Sequence, residues 1–302
     1  MINIGINLLL LLLLPPLLFG IINKTKALFA GRTGVPFFQL YYDIFKLLHK
    51  NMVISTSTTW VFRIAPVISF SCVIIAGFLI PIGRANAIVS FTGDFLLFAY
   101  LFGLGRFFTT CAALDTGSAF EGMGASREVT FASFTEPALF FAFLSLVKLS
   151  GSLSLNGMFK AGLSTHTGSI ASLVMITLGI FIIFLSENSR IPIDDPNTHL
   201  ELTMIHEVMI LDHSGPLLGI IEYTSSLKFF VLGSVLINII MSSFYTTLWL
   251  NYLIFVSGIF ILSVIVGITE SIMARLQMSR VPVLLISTIL LCGSSFILLL
   301  RG

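Results

Sequence analysis

Long apolar stretches alternate with short polar segments along the whole chain, and this pattern predicts membrane-spanning helices. A helix needs about 20 mostly apolar residues to cross the hydrocarbon core of a bilayer. Eight stretches are close to that length or longer: Gly5–Ile22, Val61–Ile82, Asp94–Ala113, Val129–Leu149, Ser169–Leu185, Gly215–Tyr245, Leu248–Ile268 and Val281–Leu300. We therefore predict an all-α polytopic membrane protein with about eight transmembrane helices, forming one integral membrane domain over residues 1–302.

A ninth helix is predicted between the first two spans, with the amphipathic pattern of an interfacial segment. The stretch reads PFFQLYYDIFKLLHK from Pro36 to Lys50. One face of this helix carries Phe37, Tyr41, Ile44, Leu47 and Leu48, and the other carries Gln39, Asp43, Lys46 and Lys50. It is either a plain membrane-surface helix or one whose polar face docks a soluble partner.

The composition agrees with the hydropathy pattern. Hydrophobic residues make up 56% of the chain and charged residues 10%, against about 25% charged residues in a typical soluble domain. This excludes a soluble enzyme, a disordered chain and a disulfide scaffold. The net charge of +2 gives no reason to expect nucleic acid. Cys72, Cys111 and Cys292 form no CxxC pair, so we expect no iron–sulfur or zinc site in this chain.

The positive charges predict an orientation, since Lys and Arg favour cytoplasmic loops. With the N-terminus outside and eight crossings, the cytoplasmic segments hold nine positive residues and the outer segments hold four. The first segment has no positive residues before its apolar run, which favours a retained anchor over a signal peptide. We therefore expect both termini outside, in a multi-pass protein of the cell (inner) membrane.

Glu136 is an acid placed well inside a predicted span. A carboxylate there costs several kcal/mol unless it is paired, hydrated or protonated. It is either a neutral hydrogen-bonding group or a site that carries protons, and we favour the second because burial raises a carboxyl pKa. Glu222 is either interfacial or a second such site. Arg63 and Arg106 lie near the ends of their spans, where membrane anchoring and a role in a channel are equally compatible with the sequence.

The polar stretch Ser186–Gly215 holds six of the acids and three of the five histidines. His206-Glu207 is followed by Ile210 where a zinc protease needs its second histidine, so that motif fails. His199 and His206 could share a helix face, but no third metal ligand is evident. Leu202, Ile205 and Met209 have the spacing of an amphipathic helix near the interface. A phosphate-binding loop and a nucleophile–base pair are likewise absent from the sequence.

Five ordered blocks carry a resemblance to a known family. They read GRTGVPFFQLYYDIFKL, WVFRIAPVISF, LDTGSAFEGMGASREVTFASFTEP, ENSRIPIDDPNTHLELTMIHE and SGPLLGIIEYTSSLK. The chain resembles the NuoH-like family, which comprises complex I subunit 1 and the membrane subunit of group 4 [NiFe] hydrogenases. The compact first loop, with LDTGSAFEGMGASRE and PIDDPNTHLELTMIHE, is most similar to the branch of hydrogenase-4 component C and formate hydrogenlyase subunit 4. Asn197 and His199 replace two acids of the complex I pattern.

The resemblance implies a non-catalytic membrane anchor in an oxidoreductase complex. Its partners would be a [NiFe]-hydrogenase-like large subunit, an iron–sulfur subunit, antiporter-like membrane subunits and membrane lipid. The [NiFe] centre and the iron–sulfur clusters would lie in partner subunits, and this chain would bind no cofactor of its own. A bound quinone or lipid is a further possibility that the resemblance leaves open. The implied proton pathway comprises Glu136, Glu187, Asp194, Glu201, Glu207 and Glu222. The implied docking surface for the soluble arm comprises Arg32, Gln39, Asp43, Lys46, Asp115, Arg127 and Arg190.

Three alternatives remain open at this stage. The chain could be a true complex I subunit that lines a quinone cavity in an NADH:quinone oxidoreductase. It could be a stand-alone ion or proton transporter, although no inverted repeat is visible. It could also be a purely structural anchor, in which acid-to-amide changes would leave turnover and pumping intact.

Overall fold

The protein is a bundle of long apolar helices. The computed structural model describes residues 2–83, 85–160, 167–194, 205–241 and 248–301, and these hold no β-strand. The helices are α1 (Ile2–Leu13), α2 (Pro15–Phe29), α3 (Gln39–Leu48), α4 (Trp60–Leu79), α5 (Asp94–Asp115), α6 (Ala119–Ser150), α7 (Leu155–Lys160), α8 (Thr167–Glu187), α9 (His206–Met209), α10 (Gly215–Met241), α11 (Leu248–Ile272) and α12 (Val281–Arg301). Seven described helices are long and apolar enough to cross a membrane, and the bent pair α1–α2 makes up to eight. The predicted fold class is confirmed.

The first predicted span is two helices that meet at an angle of 46°. Pro15 and Pro16 begin α2, and neither can donate a backbone hydrogen bond to the preceding turn. The Leu12 carbonyl oxygen therefore has no helical donor at Pro16, and the backbone nitrogen of Leu17, the helical donor for Leu13, bonds instead to the Leu14 oxygen at 3.1 Å. The hydroxyl of Tyr223 donates to the Leu12 oxygen at 2.6 Å, and the hydroxyl of Tyr41 donates to the Leu13 oxygen. Tyrosines from α10 and α3 thus donate hydrogen bonds to the two carbonyl oxygens at the break in the first span.

Helix α6 begins ten residues earlier than predicted and extends over 32 residues. The first turns, which the sequence suggested were a loop, carry Glu121, Arg127 and Glu128. Glu121 is buried, and its Oε1 accepts a hydrogen bond from the Asp212 backbone nitrogen at 3.1 Å. This extension fits because Gly124 lets α6 approach α9, since a Cβ there would lie 2.9 Å from the Ile205 carbonyl oxygen.

Helix α10 is the central helix of the bundle. Most of its length is buried, and it packs against α2, α3, α4, α8 and α11. Its first turns lie beside the interfacial helix α3, where a Cβ at Gly219 would be 3.2 Å from the Cβ of Leu47. The described part of the predicted sixth span ends at Met241. Helix α10 therefore brings the polar segments at one end of the bundle into contact with the apolar core.

The interfacial helix α3 is present as predicted, but its faces are used differently. Phe38, Tyr42 and Phe45 are exposed, whereas Gln39 and Asp43 line a cavity inside the bundle. The expectation that the polar face points outward is therefore wrong for these two side chains. Ile44 and Leu47, on the predicted apolar face, lie against α10, so the polar stripe beside them turns towards the cavity.

The polar segment after α8 is only partly described. Residues 188–194 form turns, and residues 205–214 contain the four-residue helix α9. Leu202 of the predicted amphipathic helix, together with Asn197, His199 and Glu201, lies outside the described residues. We call the end of the bundle formed by α3, residues 188–194 and α9 the polar end.

Candidate functional site

Arg106 of α5 lies at the centre of a buried charge cluster. Its Nη1 is 2.6 Å from Glu136 Oε1, its Nε is 3.2 Å from Glu128 Oε1, and its Nη2 pairs with Glu187 Oε1. The Arg106 side chain is 9% exposed. The guanidinium group can contact three carboxylates because it presents five N–H donors in a rigid plane. The alternative in which Arg106 anchors its span at the headgroups is wrong, because the side chain turns into the bundle.

Lys228 of α10 adds a second cation to this cluster. Its Nζ lies 2.9 Å from Glu187 Oε2, and the Thr135 hydroxyl donates to Glu187 Oε1 at 3.3 Å. Glu187 is therefore held between two cations. We call Arg106, Glu128, Glu136, Glu187 and Lys228 the Arg106 cluster. With every member ionised, its three carboxylates and two cations carry a formal net charge of −1. One carboxylate of the cluster is therefore without a full counter-charge among the described residues.

A polar cavity of about 950 Å³ opens beside α2 and α3 at the polar end. Its charged lining residues are Asp43, Arg190, Asp194, Glu207 and Glu222. Burial raises the pKa of Glu207 to about 7, repulsion from Glu222 and Asp194 adds to the rise, and Arg190 opposes it. Glu207 is therefore close to half-protonated at neutral pH, as a group that exchanges protons requires.

A central cavity of about 720 Å³ lies next to the polar cavity and reaches the Arg106 cluster. Asn188, Ser189, His206, Ile221 and Ser225 line both cavities, so they form the wall between them. Burial lowers the pKa of His206 to about 4, and the charge of Lys228 lowers it further while Asp194 opposes the change. His206 is consequently neutral at physiological pH, with one ring nitrogen able to donate a proton and the other able to accept one.

A lateral cavity of about 440 Å³ lies on the other side of the Arg106 cluster, between α5 and α6. Arg106, Glu136 and Glu187 line it, together with Tyr100 and Leu232. The Glu136 side chain is 50% exposed, although the sequence led us to expect a fully buried group. Its carboxylate is stabilised by Arg106 and faces the outside of the bundle at mid-helix. The three cavities and the Arg106 cluster thus connect the polar end with a membrane-facing surface of α6.

Of the predicted pathway residues, Glu207 and Glu222 line the polar cavity, and Glu136 and Glu187 belong to the Arg106 cluster. Glu201 lies outside the described residues. Asp194 is tightly engaged: its Oδ2 accepts hydrogen bonds from the Ile205 and His206 backbone nitrogens, both at 3.1 Å, and its Oδ1 pairs with Arg275 at 2.9 Å. These bonds identify Asp194 as a group that organises the segment around α9.

The predicted docking residues do not share one surface. Arg32 and Lys46 are exposed or partly exposed. Gln39 Nε2 donates to Asp43 Oδ1 at 2.9 Å, and both side chains line the polar cavity.

Three further predicted docking residues make contacts within the chain. Asp115 Oδ2 accepts hydrogen bonds from the backbone nitrogen and the hydroxyl of Thr59 at 2.6 and 2.9 Å. Arg127 contacts the sulfur of Met123. Arg190 is 5% exposed and lines the polar cavity, and its part in docking remains a prediction.

Sequence reasoning missed the partners of the acids. No role was predicted from the sequence for Glu128, Lys228 or Glu270 of α11. Each is an ionisable residue in or beside an apolar stretch, and that signal alone marks a functional or paired group. Among the residues that the structure describes, no group of three or more His, Cys, Asp or Glu side chains could hold a metal ion.

Comparisons with known proteins agree with the architecture. The chain is 31% identical to hydrogenase-4 component C of Escherichia coli (strain K12) over 75% of this chain and 71% of that protein. It is 27% identical to formate hydrogenlyase subunit 4 of the same organism over 92% of this chain and 91% of that protein. It is also similar to a subunit of the NADH-quinone oxidoreductase of Rickettsia prowazekii (strain Madrid E), at 25% identity over 69% of this chain and 58% of that protein.

A solved structure shares the fold. A chain of the membrane-bound sulfane sulfur reductase, an archaeal respiratory membrane complex, superposes with a TM-score of 0.81 at 16% identity, covering 99% of this chain and all of that one. The NADH dehydrogenase family matches residues 2–300. The protein is thus a member of the NADH dehydrogenase (NuoH-like) family, as the five sequence blocks indicated.

Proposed function

We propose that this chain is the membrane subunit of a hydrogenase-like, complex I-related respiratory complex, and that it links a soluble electron-transfer arm to proton translocation. The similarity to hydrogenase-4 component C and formate hydrogenlyase subunit 4 supports the first part. The electrons would pass through partner subunits that carry the [NiFe] centre and iron–sulfur clusters. This chain would provide the docking surface for that arm and the carboxylates through which protons move.

The Arg106 cluster is the observation that carries this proposal. It joins α5, α6, α8 and α10 through three carboxylates and two cations, and it lies between the central and lateral cavities. Its three carboxylates share two cations, so one carboxylate has no full counter-charge among the described residues. The excess carboxylate supports a role in binding and releasing one proton.

The residues suggest an order of proton movement. Glu207 and Glu222 would take up protons in the polar cavity, and neutral His206 would pass them through the wall to the central cavity. A proton reaching Glu187 or Glu128 would bring the cluster to neutrality, which lowers the proton affinity of its remaining carboxylates. The cluster would then hold a single proton at a time and release it at Glu136.

Two surfaces of the bundle fit the proposed partners. Arg32 and Lys46 at the polar end suit the soluble arm. The surface around Glu136 suits an antiporter-like membrane subunit, because a half-exposed carboxylate at mid-span needs polar cover within the membrane.

The test is the substitution Glu187→Gln in the assembled complex, measured as proton uptake per electron in inverted vesicles. We expect the ratio to fall at least several-fold, because the amide keeps the shape but cannot carry a proton. Asp212→Asn is the matched control, since Asp212 is exposed and lines none of the three cavities. An unchanged ratio in a fully assembled Glu187→Gln complex would contradict the proposal.

A further inference from the structure

A second buried charge group lies at the polar end, separate from the Arg106 cluster. Glu270 of α11 has a side chain with 0% exposure. Its Oε2 lies 2.9 Å from Lys26 Nζ, and its Oε1 lies 3.2 Å from Arg190 Nη1. This trio of Lys26, Glu270 and Arg190 joins α2, α11 and the segment after α8. The buried Glu270 carboxylate thus lies in contact with two cations.

Arg190 occupies a defined place in the wall of the polar cavity. The centre of its guanidinium group lies 4.3 Å from the ring centroid of Phe19 and 5.7 Å from that of Phe229. The two rings form an aromatic surface for the cation, which favours this position. Glu270 binds one end of the guanidinium group, and Arg190 lines the same cavity as Glu207 and Glu222. Arg190 is thus a strong cation close to the two acids proposed to take up protons.

We propose that Glu270 is a positioning residue: it holds Arg190 against the aromatic wall and keeps that cation from forming direct ion pairs with Glu207 and Glu222. This inference rests on the proposed function and deepens it by identifying what regulates the proton affinity of the uptake site. Lys26 has a supporting part, because its contact with Oε2 holds the Glu270 carboxylate in place.

The arrangement of the neighbouring acids explains why holding Arg190 in place affects proton uptake. Asp194 already binds Arg275 and two backbone nitrogens, so it cannot readily accept a released Arg190. Glu207 and Glu222 form no ion pair with the residues that the structure describes, and they line the same cavity. A guanidinium group that left Glu270 would therefore pair with one of them. A direct ion pair would hold that carboxylate deprotonated at neutral pH and remove it from proton uptake.

Several other charged or titratable groups lie near Glu207. Asp43, Asp194, His206 and Glu222 line the polar cavity with it. The neighbouring central cavity is lined by Arg106, Glu128, Glu187 and Lys228. Arg190 acts against the raised pKa of Glu207 already from its present position. None of these groups is altered by a substitution at Glu270 or Lys26, so the effect of moving Arg190 can be isolated.

The experiment measures the protonation of Glu207 by infrared difference spectroscopy on the purified complex, with the Glu207 band assigned by its loss in Glu207→Gln. Glu270→Gln should lower the proton affinity of Glu207 by at least tenfold. That single change also adds one net positive charge, which could lower the affinity without any movement of Arg190. The decisive variant is therefore Lys26→Met/Glu270→Gln, which keeps the net charge of the trio at +1 while removing the restraint on Arg190.

We expect the double variant to retain the tenfold loss of proton affinity, and Lys26→Met alone to show a much smaller change. A double variant in which Glu207 titrates as in the wild type would overturn the positioning role. The double variant also leaves the net charge of the trio unchanged, so it remains informative if Glu270→Gln alone fails to assemble. Failure of the proposed function has a different signature: Glu207→Gln would then pump at the wild-type ratio, whatever the spectra show.

Discussion

Arg106 contacts three carboxylates on two other helices, so its removal affects all of them together. The acids Glu136, Glu187, Glu207 and Glu222 could be selected from the sequence, because an ionisable group in or beside an apolar stretch is costly and needs a reason. Their pairing could not, since Arg106 and Glu187 are 81 positions apart and meet only through helix packing. The half-exposure of Glu136 was missed for the same reason.

Substitution of Arg106 tests the energetic role of the cluster. Arg106→Gln leaves three carboxylates with Lys228 as their remaining cation, and breaking a buried ion pair in this way costs about 3–5 kcal/mol. We expect a clear fall in the unfolding temperature of the subunit purified in detergent. Arg63→Gln is the control, because Arg63 is exposed and a surface change costs within about 0.5 kcal/mol. Equal stability of the two variants would show that the cluster does not stabilise the bundle.

The raised pKa of Glu207 predicts a pH-dependent stability. The pKa is raised from 4.5 to about 7 in the folded protein, so the folded state binds more protons than the unfolded state between these values. The Glu207 contribution to stability is therefore fully present below pH 4.5 and is lost as pH rises through 7. We expect the unfolding temperature of the wild type to fall relative to that of Glu207→Gln between about pH 5 and about pH 8, because only the wild type carries the titrating carboxyl. A difference that is constant across this range would contradict the raised pKa.

At the scale of helices, the long apolar stretches made the spans predictable, but two features depend on tertiary contacts. The sequence shows Pro15 and Pro16 yet does not show how the freed carbonyls are satisfied. That requires tyrosines from α3 and α10. The early start of α6 was hidden because Gly122 and Gly124 resemble a loop. Gly124 instead allows close packing against the segment at Ile205.

The two tyrosines that satisfy the α1–α2 break are expected to stabilise the first span. In Tyr223→Phe the Leu12 carbonyl loses its donor, and in an apolar membrane or detergent environment an unsatisfied backbone acceptor costs about 1–3 kcal/mol. Tyr41→Phe should have a similar effect at Leu13. The measurement is thermal unfolding in detergent, with Tyr42→Phe as the control because the Tyr42 side chain is 64% exposed. If all three variants have the same unfolding temperature, the hydroxyl contacts do not stabilise the α1–α2 junction.

At the scale of the whole molecule, the structure joins one polar end to one membrane-facing surface through three neighbouring cavities. The lopsided placement of acids in the sequence already suggested a charged end. It could not show that Gln39 and Asp43 turn inward, or that Arg190 and Glu270 form a buried pair. These features arise because α2, α3, α9, α10 and residues 188–194 enclose the polar cavity together. The proposed proton transfer through the bundle therefore depends on continuity from Glu207 to Glu136.

The most direct test of that continuity is proton uptake per electron in inverted vesicles that contain the complex with Glu136→Gln. Glu136 is the best position because it is half-exposed, and Glu187 keeps both of its cations when Glu136 is neutral. We expect an assembled complex in which this ratio falls at least several-fold, while Asp212→Asn retains the wild-type ratio. A Glu136→Gln complex that takes up protons at the wild-type ratio would contradict the proposed pathway, and would make Glu136 a structural partner of Arg106 alone.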